Sequence, residues 1–267
     1  MKRAALCLGL FFLWAPIALM VAYAFSDGRT PYIWGGLSLR WFRALAGNER
    51  LLEAAWLSLR IAAAAATLAT LLGLVLGWVL ARHGPFRGRP LFGALAGAPL
   101  VLPEVVMGLS FLMLIVGLQG LTGWPAQRGA MTVWLAHSAL GMAFVAVLVQ
   151  ARLAALDPRL EEAAADLGAG PFTVFRTITL PLIMPSLLAG WGLAFTLSLD
   201  DVVLASFVSG PGATTLPVHL FSALRLGLTP EANALATLLL GAAGALLLVY
   251  ALAARWRARV ETPSSRE

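Results

Sequence analysis

The chain has 267 residues, of which 60% are hydrophobic and 12% charged, and its formal net charge at pH 7 is +6. This composition excludes an ordinary soluble domain and is typical of an integral membrane protein. A basic balance can indicate nucleic-acid binding, but these arginines are spread over loops between apolar segments, so membrane topology explains them better.

Six apolar segments are long enough to cross about 30 Å of hydrocarbon at about 1.5 Å per helical residue. The pattern predicts an all-α integral membrane protein with six transmembrane helices in a single domain that occupies residues 1–267. The segments are 4–25, 54–80, 91–118, 131–151, 182–208 and 232–254.

The first segment, 4–25, follows Lys2 and Arg3 and so has features of a cleavable signal peptide. Its apolar run is longer than a usual signal core, and five more spans follow. We therefore expect an uncleaved anchor helix ahead of a membrane-embedded core at 54–254.

Residues 37–52 form an amphipathic stretch between the first two spans. Ser38 is a candidate N-cap, and the aromatic ring of Trp41 is set against the charge of Arg40. This pattern predicts an interfacial helix on the outer face of the membrane.

Small residues predict close helix packing at two places. Gly73 and Gly77 form a Gly-x-x-x-Gly pair in the second span, and Gly241 with Ala245 forms a similar pair in the sixth. Packing within the subunit and packing against another subunit are both open at this point.

The segment 152–181 predicts a helix, a turn and a second helix outside the bilayer. Asp157 is a candidate N-cap for the first helix, which ends at Gly168. The second helix starts after Gly170 and ends at the Leu180–Pro181 pair. Such an exposed pair is suited to docking in a groove of a soluble partner.

Three carboxylates lie within the apolar spans: Glu104 in the third, and Asp200 and Asp201 in the fifth. A carboxylate near the centre of a membrane helix costs about 2.5 to 3.5 kcal/mol, so such residues usually face an aqueous path or a partner. They are candidates for a translocation path. The alternative is structural: an acid caps a broken helix or pairs with Arg60 or Arg225.

The lysines and arginines predict that both termini lie in the cytoplasm. With the N-terminus inside, the cytoplasmic segments carry about twice as many basic residues as the outer segments. The same orientation puts segment 152–181 in the cytoplasm. Because Lys2 is the only lysine, the chain lacks the lysine of a phosphate-binding loop, and any ATP use must reside on another polypeptide.

Segment 152–181 also fits a spaced signature: Glu-Ala-Ala, three residues, Gly, nine residues, then Ile-x-Leu-Pro. It resembles the loop of the membrane subunits of ATP-binding-cassette (ABC) importers that forms a coupling helix against the ATPase. An ordinary loop helix is the alternative. The residues that this resemblance assigns to coupling are Glu162, Ala163, Ala164, Gly168, Ile178, Leu180 and Pro181, to which the apolar surface residues Phe172 and Phe175 are added.

Other segments extend the resemblance over nearly the whole chain. Residues 195–217 and 230–237 look like those of polyamine (spermidine/putrescine) permeases, and residues 123–137 are similar to the second permease of putrescine importers. Arg60 departs from the uncharged residue expected in this family.

The resemblance implies a type I ABC importer permease fold in the bacterial inner membrane and a polyamine cargo, with putrescine favoured. It also implies a complex with a second homologous permease, two ATPase subunits and an extracytoplasmic polyamine-binding protein. ATP and Mg²⁺ are then expected on the ATPase, with no cofactor and no enzyme activity on this chain.

Two other functions are compatible with acids inside a membrane. A secondary carrier could use them as cation sites, but that function leaves the signature segment unexplained. An intramembrane aspartyl protease normally draws its acids from two spans and carries a Gly-x-Gly-Asp pattern, which this sequence lacks.

Overall fold

The computed structural model describes the backbone of residues 2–30, 32–226 and 229–260. Within these ranges the chain forms twelve α-helices and a π-helical turn, and its β-type pairing is limited to an isolated bridge between Ser26 and Leu37. The all-α prediction is confirmed. The elements in chain order are α1 (Lys2–Ala24), α2 (Arg40–Gly47), α3 (Glu49–Arg82), α4 (Arg89–Val101), α5 (Glu104–Thr122), α6 (Ala130–Ala155), α7 (Arg159–Asp166), α8 (Pro171–Val174), the π turn (Phe175–Thr179), α9 (Leu180–Asp200), α10 (Val203–Val208), α11 (Leu216–Leu226) and α12 (Glu231–Val260).

The helices group into two compact units. Unit 1 consists of Met1–Leu52 and Ser222–Glu267, and unit 2 consists of Glu53–Phe221. In unit 1, α1 and α2 both pack on α12. Asn48, directly after α2, donates a 2.7 Å hydrogen bond from Nδ2 to Oε2 of Glu231 at the start of α12.

The amphipathic segment predicted at 37–52 is not one helix. The N-cap of α2 is Leu39 and not Ser38 as predicted, although Oγ of Ser38 accepts the N–H of Arg40 at 3.1 Å. Asn48 then interrupts the helix, because its Oδ1 accepts the N–H of Leu51 at 3.2 Å and so caps α3 instead. Trp41 of α2 is buried, as the amphipathic pattern requires.

Helix α6 is the centre of unit 2, and 56% of its most apolar stretch is buried. It packs against α4, α9 and α10. One apolar cluster joins α6 to α3, α5 and α10 around Ile61 and Leu204, and a second joins it to α3 and α9. Gly141 of α6 lies between α3 and α9, where an added β-carbon would be 3.0 Å from the Cβ atoms of both Ala69 and Ala194.

Five helical stretches in the described part of the chain are long and apolar enough to cross a membrane. They are Ala5–Ala24, Glu49–Arg82, Glu104–Thr122, Ala130–Ala155 and Pro171–Asp200. Each overlaps one of the first five predicted spans. The sixth predicted span, 232–254, falls in α12, where many side chains lie outside the described residues.

Two predicted spans are broken, contrary to the continuous helices expected at 91–118 and 182–208. The third span splits into α4 and α5 at Pro103, which supplies no N–H and disfavours helical geometry at Leu102, whose ψ is 137°. The fifth span splits into α9 and α10 at Asp201, whose ψ is 124°. Both breaks leave polar backbone groups and an acidic side chain together inside an apolar segment.

Gly73 and Gly77 bring α3 directly against α6. A β-carbon on Gly73 would lie 2.6 Å from Cβ of Val145, and one on Gly77 would lie 2.6 Å from the carbonyl oxygen of Ala146. Of the two roles open from the sequence, packing within the subunit is the one observed. Gly241 differs, since an added β-carbon there would meet no described atom within 4 Å, and the close packing predicted around it is not found among the described residues.

Replacing Gly77 with alanine should destabilise unit 2 by about 1 to 3 kcal/mol, because the new methyl group would press on backbone that cannot move aside. The midpoint of thermal unfolding of the detergent-solubilised protein should fall. Gly117→Ala is the matched control, since that position in α5 has open space around it. An equal midpoint for the two variants would contradict the close contact.

Candidate functional site

The helix pair predicted outside the spans is formed by α7 and α8, and we call residues 157–174 the elbow. Asp157 begins it, because its Oδ1 accepts the N–H of Arg159 at 3.0 Å, as expected of the predicted cap. Glu161 and Glu162 lie in the first turn of α7, where negative charge favours the helix dipole. The first helix of the pair is therefore specified locally.

Gly168 ends α7 in a Schellman turn. The N–H of Ala169 bonds to the carbonyl of Ala164 at 3.1 Å, and the N–H of Gly168 bonds to that of Ala165 at 2.9 Å. Gly168 has a φ of +87°, a conformation that glycine adopts at little cost and other residues do not. The predicted stop at this position is confirmed.

The second helix of the elbow does not end at Leu180–Pro181, contrary to the prediction. It begins at Pro171, passes through the π turn, in which the N–H of Leu180 bonds to the carbonyl of Phe175, and continues as α9. Pro181 is the second residue of α9, which directly follows the π turn. The elbow and the fifth span thus share a continuous helical backbone.

Two large apolar side chains of the elbow point away from the protein. Leu167 is 90% exposed and Phe172 is 73% exposed. Phe175, predicted to share this surface, is partly buried with its ring edge-on to Trp78 at a centroid distance of 6.1 Å. Sequence reasoning missed Leu167, although a large apolar residue directly before the terminating glycine of a polar helix is a readable signal.

The other residues assigned to coupling divide into two groups. Exposed side chains belong to Glu162, Ala163 and Pro181, and partly buried ones to Ala164, Ile178 and Leu180. Glu162 is therefore available to an outside partner, as its assignment requires.

Glu161 makes the polar contacts that hold α7 in place, and sequence reasoning missed it. Its Oε2 lies 3.0 Å from Nε of Arg82 at the end of α3. Its Oε1 accepts a 2.7 Å hydrogen bond from Oγ1 of Thr179 in the π turn. These partners are distant in the chain, so no local spacing could have distinguished Glu161 from Glu162.

The three acids predicted within the spans lie at the helix breaks. Glu104 is the first residue of α5 and Asp200 the last of α9, and both are exposed. Asp201 is buried, with 8% of its surface accessible. Among the described residues, no hydrogen bond or ion pair joins Glu104 to either aspartate.

Asp201 is held by three contacts at the break in the fifth span. Its Oδ1 accepts the N–H of Leu204 at 3.1 Å and its Oδ2 that of Ala205 at 2.8 Å, so the carboxylate caps α10. Its Oδ2 also lies 2.9 Å from Nε2 of His137 in α6, whose Nδ1 lies 2.6 Å from Oγ of Ser198. The contacts satisfy the acceptors of a carboxylate that the surrounding helices remove from solvent.

Neither arginine considered as a partner of these acids is found paired with them among the described residues. The pairing with Arg60 is not found, because Arg60 is exposed and the partner of Asp201 is His137. The side chain of Arg225, the other partner considered, lies outside the described residues. Ser198, His137 and Asp201 are connected in the order of a hydrolase triad, but all three are buried, which leaves a substrate carbonyl no access to the serine.

A family model described as "Binding-protein-dependent transport system inner membrane component" matches residues 73–262. The chain belongs to this family. This inner membrane component is similar to the "Putrescine transport system permease protein PotI" of Escherichia coli (strain K12), with 54% identity over 239 residues, 90% of this chain and 85% of the relative. It is also similar to the "Spermidine/putrescine transport system permease protein PotC" of the same strain, with 40% identity over 251 residues, 94% of this chain and 91% of the relative.

Solved structures of ABC transporters share the fold of this inner membrane component. A bacterial transporter that imports the acidic polysaccharide alginate superposes with a TM-score of 0.67 at 14% identity, covering 96% of this chain and 95% of that one. The methionine transporter MetNI, in an inward-facing conformation, gives a TM-score of 0.60 at 18% identity, covering 78% of this chain and 95% of that one. The predicted ABC permease fold is confirmed. The chain is a multi-pass transport subunit and not an enzyme, as predicted.

Proposed function

We propose that this chain is a permease subunit of an ATP-driven importer that moves polyamines, and putrescine in particular, into the cytoplasm by alternating access. The observation that carries the proposal is the 54% identity over 90% of the chain to a relative named a putrescine permease. The lower identity of 40% to a relative named for spermidine and putrescine favours putrescine between the two.

The proposed assembly contains a second homologous permease, two ATPase subunits and an extracytoplasmic polyamine-binding protein. Both termini and the elbow face the cytoplasm, in agreement with the distribution of arginines. ATP and Mg²⁺ belong to the ATPase subunits. The exposed Leu167 and Phe172 suit an apolar groove on the ATPase, and Glu162 provides a charged contact beside them.

Motion of the ATPase subunits reaches the membrane through the elbow. ATP binding brings the two ATPases together and displaces both elbows of the permease pair. Because α8 continues through the π turn into α9, that displacement is passed to the fifth span. The bundle then opens outward to receive cargo, and hydrolysis returns it to the inward-facing state.

The membrane acids suit a cationic cargo. A dication that leaves its binding protein loses hydration, and carboxylates along the route offset that loss. We assign Glu104 and Asp200 to the path on their exposure at helix breaks, and Asp201 remains a weaker candidate because it is buried and fully engaged. An inside-negative potential adds about 2.3 kcal/mol per charge per 100 mV in favour of entry.

Uptake of labelled putrescine and spermidine by cells that lack this subunit, with and without a plasmid copy, tests the proposal. ATP-dependent putrescine uptake that returns with the plasmid supports it. Purification separates it from a secondary carrier: copurified ATPase is expected, whereas transport by the isolated chain in proteoliposomes under a proton gradient would overturn the importer.

Replacing Asp200 with asparagine should lower putrescine uptake about fivefold, because one carboxylate of the path is lost at an exposed position. The amount of assembled complex should stay unchanged. Uptake rates and the yield of copurified ATPase are measured on the same membranes. A parallel fall in both quantities would instead give Asp200 a structural role.

A further inference from the structure

Helix α7 of the elbow is held in place without burial of its own side chains. None of its residues, Arg159–Asp166, is buried. Behind it lies a cavity of about 320 Å³ whose lining includes Trp78, Arg82, Ala165 and Phe175. Apolar packing therefore does not fix the distance between α7 and the end of α3, and another interaction has to do so.

Glu161 also lines this cavity, and its side chain contacts two different elements. Its carboxylate meets Arg82, the last residue of α3, at 3.0 Å, and the side chains of these two residues are only 23% and 17% exposed. The same carboxylate accepts the hydroxyl of Thr179, which is 2% exposed and directly precedes α9. One side chain thus joins α7 to the ends of two helices that the sequence assigns to the second and fifth spans.

The chain connects the elbow to the spans at both ends, through Leu156 to α6 and through the π turn to α9. π-Helical turns are uncommon and often mark functional sites within helices. The second span has no direct chain connection to α7, since Arg82 and Glu161 are 79 residues apart. A displacement of α7 can reach α3 directly only through contacts between side chains, and in the described part of the chain the Arg82–Glu161 ion pair is the charged contact between these two helices.

We propose that Glu161 is a positioning residue of the coupling machinery, which with Arg82 and Thr179 fastens α7 to α3 and α9 so that the ATPase moves these spans and not α7 alone. This inference rests on the proposed function. It gives two adjacent acids different roles, because Glu162 faces the ATPase and Glu161 faces the permease.

Glu161→Gln isolates the charge, because the amide oxygen can still accept the hydroxyl of Thr179 while the attraction to Arg82 is lost. In proteoliposomes that contain the whole complex and its binding protein, the ATP hydrolysed per putrescine transported should rise about threefold to tenfold. Arg82→Gln should give the same increase, and the double variant should be no worse than either single variant. Arg87→Gln, an exposed arginine after α3 and outside the elbow, is the matched control that should keep the wild-type ratio.

The charge exchange Glu161→Arg with Arg82→Glu decides the case if the single variants assemble poorly. If the exchange restores both assembly and the ATP-to-putrescine ratio, the proposal is supported. If assembly or the ratio stays at the level of the single variants, the proposal is overturned. Wild-type ratios in both single variants also overturn it. A wild-type complex that hydrolyses ATP without importing putrescine would count against the proposed function, so the two ideas fail by different measurements.

Discussion

Replacing Gly168 with aspartate is expected to leave the protein in the membrane and to lower ATP-driven uptake at least about tenfold. Gly168 has a φ of +87°, and a side chain in that conformation costs about 1 to 2 kcal/mol. The new carboxylate would also stand at the C-terminal end of α7, where the helix dipole disfavours negative charge. Both effects unwind the turn that sets the angle between α7 and α8.

The measurement compares putrescine uptake, ATPase activity and membrane abundance of the variant. We expect normal abundance together with hydrolysis that no longer drives uptake. Gly170→Asp is a matched control, because Gly170 has a φ of −67° and caps α8, a position at which aspartate is favoured. If the Gly168→Asp variant couples ATP hydrolysis to uptake at wild-type rates, the elbow has no role in coupling.

Replacing Asp201 with alanine should destabilise the protein by about 3 to 5 kcal/mol, because it removes one partner of a buried pair and leaves buried hydrogen-bonding groups unpaired. Leu204 and Ala205 would lose the acceptor of their N–H groups, and His137 would be left facing an apolar methyl. Asp201→Asn should cost less, since an amide oxygen still accepts one of these hydrogen bonds.

Thermal unfolding of the purified complex and its abundance in the membrane measure this effect. Asp200→Asn serves as the control, because the neighbouring acid is exposed and its removal should leave the unfolding midpoint unchanged. If Asp201→Ala instead unfolds at the wild-type midpoint but loses uptake, Asp201 belongs to the translocation path and not to the scaffold.

Features governed by neighbouring residues could be predicted from the sequence. The Asp157 cap, the stop at Gly168 and the start of α8 at Pro171 each depend on side chains within a few positions, and each is found. The length and apolar character of the spans likewise sufficed to place the first five. Local rules decided all of these because tertiary contacts had no competing demand there.

Features that depend on distant contacts could not be predicted. Pro181 predicts a helix end, but the helical backbone continues through the π turn into α9. The break at Asp201 is stabilised by His137 from another helix, and Glu161 gains its role from Arg82. Pro103 is the exception. A proline followed by an acid in an apolar run is a local signal for a helix break, and the prediction of a continuous span at 91–118 did not use it.

The glycine and alanine contacts of α6 have a consequence for how the transporter moves. At Gly73, Gly77 and Gly141, the backbone of one helix lies almost directly on its neighbour, with no layer of long side chains that could slide or repack. Helices α3, α6 and α9 should therefore tilt as a solid piece. Spin labels placed in pairs within this piece should keep the same separation with and without nucleotide, while separations to the companion permease change.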